Sequence, residues 1–180
     1  RYTGLSEEFI DDTHLRIDLS RFRKELLRRQ NKTVGRLDSR FTGVDSDEAG
    51  ETPDYDPSYS EIRGPFTVTI NNYLRKELGY RTPLKYAVSG DVRPWNPAPD
   101  LNLLESLRDA MAYNPNLHVM VADGYYDKLY FWPSFTFSQF DFNPEIRRRV
   151  KIEKYEAGHM MYIRQPSLVK MKADIAALFD

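Results

Sequence analysis

Three side chains in the second half of the sequence have the types and the placement for proton transfer. Asp123 and Asp127 lie in Asp123-Gly124-Tyr125-Tyr126-Asp127, and His159 lies in Glu156-Ala157-Gly158-His159-Met160-Met161-Tyr162. An imidazole titrates near neutrality and can take the proton of a hydroxyl nucleophile. A carboxylate on its other ring nitrogen fixes the tautomer and stabilises the imidazolium. The chemistry these residues fit is acyl transfer, with either carboxylate eligible as the orienting group. A nucleophile is not evident. Gly-x-Ser-x-Gly occurs nowhere, and the nearest Ser-Gly pair, Ser89-Gly90, follows Ala87-Val88 and lacks the elbow pattern. There is no cysteine, which excludes disulfides, thiolate metal sites and cysteine nucleophiles.

The elements that must position these residues read as α/β. Leu117 to Ala122 is an apolar run broken only by His118, the pattern of a strand buried on both faces of a parallel sheet. Asp123-Gly124 follows as a turn. Val150 to Tyr155 alternates and predicts a second strand, with the histidine segment directly after it. Both candidate loops therefore follow the carboxyl ends of strands, where active residues of open α/β sheets gather. Asp100 is placed to cap an amphipathic helix carrying Leu101, Leu104, Leu107 and Met111 and ending near Asn114-Pro115. Pro166 to Phe179 forms another helix, with Leu168, Met171, Ile175 and Leu178 on one face.

The first half reads differently. Ser6 caps a helix with acids in its first turn, and apolar residues from Leu15 to Arg29 recur mostly at helical spacing, with Ser20 as a possible cap and Gly35 as the stop. Residues 43–60 carry Asp45, Asp47, Glu48, Glu51, Asp54 and Asp56 among Gly and Pro, and predict a solvated acidic loop, since the spacing misses the EF-hand pattern. Pro65 to Leu78 predicts a helix with Pro65 in its first turn. Pro83 to Val88 predicts a short strand, and residues 89–100 an irregular link. The division expected is a mainly helical region over 1–100 and an α/β region over 101–180.

Composition narrows the function classes. With 26 Lys+Arg against 27 Asp+Glu the net charge is −1, which argues against nucleic acid as the main partner. A hydrophobic share of 41% suffices for a packed core. No apolar run approaches the roughly 18 residues of a membrane span. Among the remaining polar residues, His118 reads as a core histidine satisfied inside its strand. His14 beside Asp11 and Asp12 reads as helix surface. Arg21, Arg23, Lys24, Arg28 and Arg29 read as a solvated helix face paired with nearby acids. The aromatics from Tyr125 to Phe142 fill either a core or a substrate cleft.

The wording of the segments is more specific than their pattern. Pro115-Asn116-Leu117-His118-Val119-Met120-Val121-Ala122-Asp123-Gly124-Tyr125-Tyr126-Asp127 resembles the acid loop of the serine carboxypeptidase-like peptidases, in their bacterial branch. Tyr155-Glu156-Ala157-Gly158-His159-Met160-Met161-Tyr162 is similar to that family's histidine loop. Val34-Gly35-Arg36-Leu37-Asp38-Ser39-Arg40-Phe41-Thr42-Gly43 and Val88-Ser89-Gly90-Asp91-Val92 are similar to its cap-region segments, and the opening through Leu15-Arg16-Ile17-Asp18-Leu19-Ser20-Arg21-Phe22 fits as well. One segment departs from the family: after the acid stands Lys128-Leu129-Tyr130-Phe131-Trp132-Pro133, where a short Leu-x-Thr-Pro-like stretch is usual.

The resemblance implies a cap region followed by the C-terminal part of an α/β-hydrolase fold. It makes Asp127 the triad acid and His159 the general base, and leaves Asp123 to the turn. It implies a serine-type carboxypeptidase that removes C-terminal residues from peptides, with the nucleophilic serine in an N-terminal half not contained in these 180 residues. It implies no cofactor and no metal, a peptide as substrate, and a secreted or periplasmic setting. An esterase or acyltransferase of the same fold is the neighbouring expectation, and a non-catalytic binding fragment is the expectation of another class.

Overall fold

In a computed structural model the chain is described over residues 3–90, 94, 103–127, 135–138, 140 and 142–179. The expected Asp100 cap, Leu101, most of the 89–100 link and the family-divergent stretch 128–133 lie outside the described residues. The architecture is mixed α/β. The chain divides into two compact units, Arg1–Arg36 with Phe41–Asn96 and Leu37–Arg40 with Pro97–Asp180.

The first unit opens with α1 (Glu7–Asp12), where the Ser6 hydroxyl accepts from the Phe9 amide. The helical spacing that starts at Leu15 does not give a helix from that residue. The Thr13 hydroxyl donates to the carbonyls of Phe9 and Ile10 and closes α1. His14 and Leu15 then take left-handed backbone conformations (φ 49° and 61°), which helices of L-residues exclude at about 1–2 kcal/mol per residue. A new helix, α2 (Leu19–Glu25), starts with Asp18 rather than Ser20 as its cap, its carboxylate accepting from the Arg21 amide. A 3₁₀ turn (Arg28–Gln30) ends at Asn31, left-handed at φ 55°, four residues before the expected stop at Gly35.

Two short strands follow, β1 (Thr33–Val34) and β2 (Thr42–Gly43), paired antiparallel. The Gly35 amide extends their pairing by donating to the Phe41 carbonyl. Helix α3 (Pro57–Asn72) begins at Pro57 with Asp56 as its cap, so Pro65 falls inside the helix and not in its first turn. It continues into a π-helical turn, Tyr73–Glu77. No strand forms over Pro83–Val88.

The basic residues pair with acids as expected, Arg21 with Glu51 and Arg28 with Glu25, but the face is not solvated throughout. Arg23 and Lys24 are buried. Arg23 donates from Nε to the Val34 carbonyl and from a terminal nitrogen to the Tyr55 carbonyl. Lys24 Nζ lies 2.7 Å from Asp45 Oδ2 and donates to the Asp47 carbonyl. The acidic loop is thereby drawn onto α2 through Asp45, while its outer acids Glu51 and Asp54 stay exposed.

The second unit is built on α4 (Leu103–Tyr113), β3 (Val119–Gly124), α5 (Pro144–Arg147), β4 (Val150–Tyr155) and α6 (Gln165–Ala176). Strands β3 and β4 pair in parallel from Val119 opposite Val150 to Gly124 opposite Tyr155. β3 is half-buried over Val119–Ala122 and fully buried only at Asp123 and Gly124, so it is not the doubly covered strand its apolar run implied. His118 is exposed, one residue ahead of β3, with its Nδ1 3.1 Å from the Asn116 carbonyl oxygen. It is not a core histidine.

Met111, Phe142 and Ile146 form one core, joined by Leu104, Leu107, Leu117, Val119, Phe137, Phe140 and Val150. Complete burial of the Met111 side chain contributes about 1.5–3 kcal/mol. Of the described aromatics in the 135–142 stretch, Phe137, Phe140 and Phe142 serve packing, while Phe135 is exposed. Tyr155, Ala157 and Met161 form a second core under Met171 of α6. The Tyr155 hydroxyl donates to Asp174 of α6, and Lys170 sits over the Tyr155 ring while pairing with Glu153 and Asp174. Burial and the Asp174 carboxylate push the Tyr155 phenol far above its ordinary range. These contacts fix the end of β4, from which the histidine loop departs.

Candidate active site

All residues of the site belong to the second unit. The parallel ladder continues past the strands into both loops: the Tyr125 amide donates to the Tyr155 carbonyl and the Tyr126 amide to the Ala157 carbonyl. The expected Asp123-Gly124 turn falls later, at Tyr125-Tyr126, and the Asp127 amide closes it on the Gly124 carbonyl. Asp123 itself is a buried residue of β3.

This geometry delivers Asp127 to His159. Asp127 Oδ2 lies 2.7 Å from His159 Nδ1, a charge-assisted length for an imidazole–carboxylate bond. The carboxylate is largely shielded, with 13% of its side chain exposed, and the ring is 56% exposed. Among the described residues Nε2 of His159 has no hydrogen-bond partner. The arrangement therefore suits an oriented base: one ring nitrogen is held by a shielded acid, and the other has no hydrogen-bond partner among the described residues.

The backbone around the pair is close-packed. The His159 amide donates to the Leu37 carbonyl at 2.7 Å, and the Ser39 amide to the Tyr126 carbonyl at 3.0 Å. Gly124 and Gly158 are both places of close approach. A Cβ on Gly124 would collide with the carbonyl oxygens of Ala157 and Gly158, and one on Gly158 with the Asp38 side chain and the Leu37 carbonyl oxygen. Gly158 is needed here for space, not for a left-handed backbone. Gly158→Ala is accordingly expected to cost about 1–3 kcal/mol through overpacking, read by chemical denaturation. It is also expected to lengthen the contact between His159 and Asp127.

Sequence reasoning missed two participants, Asp38 and Arg40. Asp38 is 2% exposed and receives the Arg40 amide, Nε and a terminal nitrogen. Hydrogen bonding to Asp38 raises the Arg40 pKa, so the guanidinium stays charged. The segment Leu37-Asp38-Ser39-Arg40 stood out only for its likeness to a cap-region segment, and an acid and a base two residues apart are carried by many surface turns. No group of His, Asp and Glu suited to a metal ion occurs among the described residues. Nor is any helix among them long and apolar enough to cross a membrane. Comparison of the chain with protein-family models, with curated proteins and with solved structures gives no match.

Proposed function

We propose that this chain supplies the acid and the base of a serine hydrolase that resembles the serine carboxypeptidase-like peptidases, with its nucleophilic serine on residues that precede this segment in the parent protein. The observation that carries the reading is the 2.7 Å bond between His159 Nδ1 and Asp127 Oδ2, made by loops leaving the same end of two adjacent parallel strands. In the reaction, His159 Nε2 takes the proton of the serine hydroxyl as its oxygen attacks the last peptide carbonyl of the substrate. Asp127 holds the Nδ1–H tautomer and stabilises the imidazolium. That imidazolium then gives its proton to the departing amine, and the same nitrogen activates the water that releases the acyl group. The α/β-hydrolase fold and the cap role of residues 1–100 belong to this proposal.

A fluorophosphonate probe tests it, because the probe reacts only with a serine activated by a working base. The parent protein is expected to be labelled at one serine ahead of Arg1 and to lose that label on His159→Ala. The 180-residue chain alone is expected to stay unlabelled. Equal labelling of parent and His159→Ala, or no serine labelled in the parent, refutes the reading and favours a binding module.

A further inference from the structure

Arg40 contacts both of the loops that carry the His159–Asp127 pair. Its terminal nitrogen Nη2 lies 2.6 Å from Asp38 Oδ2, and Nε lies 3.0 Å from Asp38 Oδ1. Its Nη1 donates to the Glu156 carbonyl at 3.2 Å, three residues before His159. Its guanidinium carbon stands 4.5 Å from the centre of the Tyr126 ring, one residue before Asp127. The segment that carries Arg40 also holds His159 through the Leu37 carbonyl. One planar cation thus grips the acid loop by a ring face and the histidine loop by a carbonyl, and is itself fixed by a buried carboxylate.

We infer that Arg40, seated on Asp38, is a positioning residue that sets the distance and the tautomer of the His159–Asp127 pair. The catalytic meaning of this inference rests on the hydrolase reading above; the assembly of the pair does not. A guanidinium is suited to the task because its donors are spread in a fixed plane. It serves Asp38 with one edge and the Glu156 carbonyl with the other while lying over an aromatic face. An ammonium has no such fork. Around the clasp, Glu156 engages Arg164 through its carboxylate, leaving its carbonyl to Arg40.

The test reads the imidazole directly in the 180-residue chain by ¹H–¹⁵N NMR. In the wild type, neutral His159 is expected as the Nδ1–H tautomer, because Asp127 accepts from that nitrogen. In Arg40→Ala and in Arg40→Lys, that tautomer is expected to fall from dominant to minor, while amide exchange of the β3–β4 ladder keeps its wild-type protection. In the complete enzyme the same variants are expected to lower kcat about 10²-fold with KM nearly unchanged, the scale of a catalytic group displaced by about 1 Å. Retention of the Nδ1–H tautomer in either variant overturns the inference, as does loss of ladder protection alongside the tautomer, which would make Arg40 a general stabiliser. Should Arg40→Ala fail to fold, Arg40→Lys carries the test alone. If the fluorophosphonate experiment fails while the tautomer responds to Arg40, the clasp stands and the hydrolase reading falls.

Discussion

Under the hydrolase reading proposed above, Asp127→Asn in the parent protein is expected to lower kcat by about 10⁴ on folded protein, the scale seen when a triad acid becomes an amide. The cause is tautomeric. Asp127 Oδ2 accepts from His159 Nδ1 at 2.7 Å, which leaves Nε2 with its lone pair free to take a proton. An asparagine can turn its amide nitrogen toward Nδ1 and donate, which puts the ring proton on Nε2. The base is then present and misdirected. Asp123→Asn is the control. Asp123 is buried at the end of β3, opposite Lys154 in the ladder, so its substitution acts on stability and leaves the kcat of the folded fraction near wild type. Steady-state kinetics of the two variants, after folding is verified, decides the assignment. A larger kcat loss at position 123 would name the other carboxylate.

The largest expected effect on stability lies in the first unit. Asp45→Ala strips the carboxylate from Lys24, whose side chain is 4% exposed, and leaves the ammonium with the Asp47 carbonyl. The Asp54 amide loses its acceptor at the same time. Removing one partner of a buried pair typically costs about 3–5 kcal/mol, a large part of the roughly 5–15 kcal/mol that holds a domain together. Chemical denaturation should show that loss. The double variant Lys24→Met/Asp45→Leu should recover most of it, because two apolar side chains leave no buried charge behind. A loss for Asp45→Ala below about 1 kcal/mol, the range of a solvent-exposed pair, would contradict the buried reading.

What could be read from the sequence divides along physical lines. β4 was legible because Val-Lys-Ile-Glu-Lys-Tyr alternates, and β3 because an apolar run followed by a loop has few other interpretations. The histidine segment is legible as a loop and the acid segment only from Tyr125 on, since β3 runs through Asp123 and Gly124, and the wording of the two segments points to Asp127 and His159 as a pair. Strands β1 and β2 are two residues each and leave no period to detect. The break at His14-Leu15 was hidden because left-handed backbone at a leucine runs against local preference. Arg23 and Lys24 were read as surface on charge alone, although buried cations with partners distant in sequence look identical until the fold supplies Asp45 and the Val34 carbonyl. His118 erred in the opposite direction: apolar neighbours implied burial, but the strand starts one residue later. Asp38 and Arg40 escaped because the groups that Arg40 contacts in the two loops, Glu156 and Tyr126, are 116 and 86 residues away from it.

The excursion of Leu37–Arg40 bears on how such a molecule could be taken apart or recombined. The second unit is not a continuous stretch of sequence: four of its residues are lent from the tip of the β1–β2 hairpin, and the rest begins at Pro97. A gene segment encoding only the later part would carry Asp127 and His159 to a new host. It would leave behind the arginine, the aspartate beneath it and the carbonyl that holds the histidine amide. Asp127 and His159 would travel together, but the segment whose Leu37 carbonyl accepts from the His159 amide and whose Arg40 contacts both loops would not, so shuffling at the obvious junction would part the pair from its surroundings.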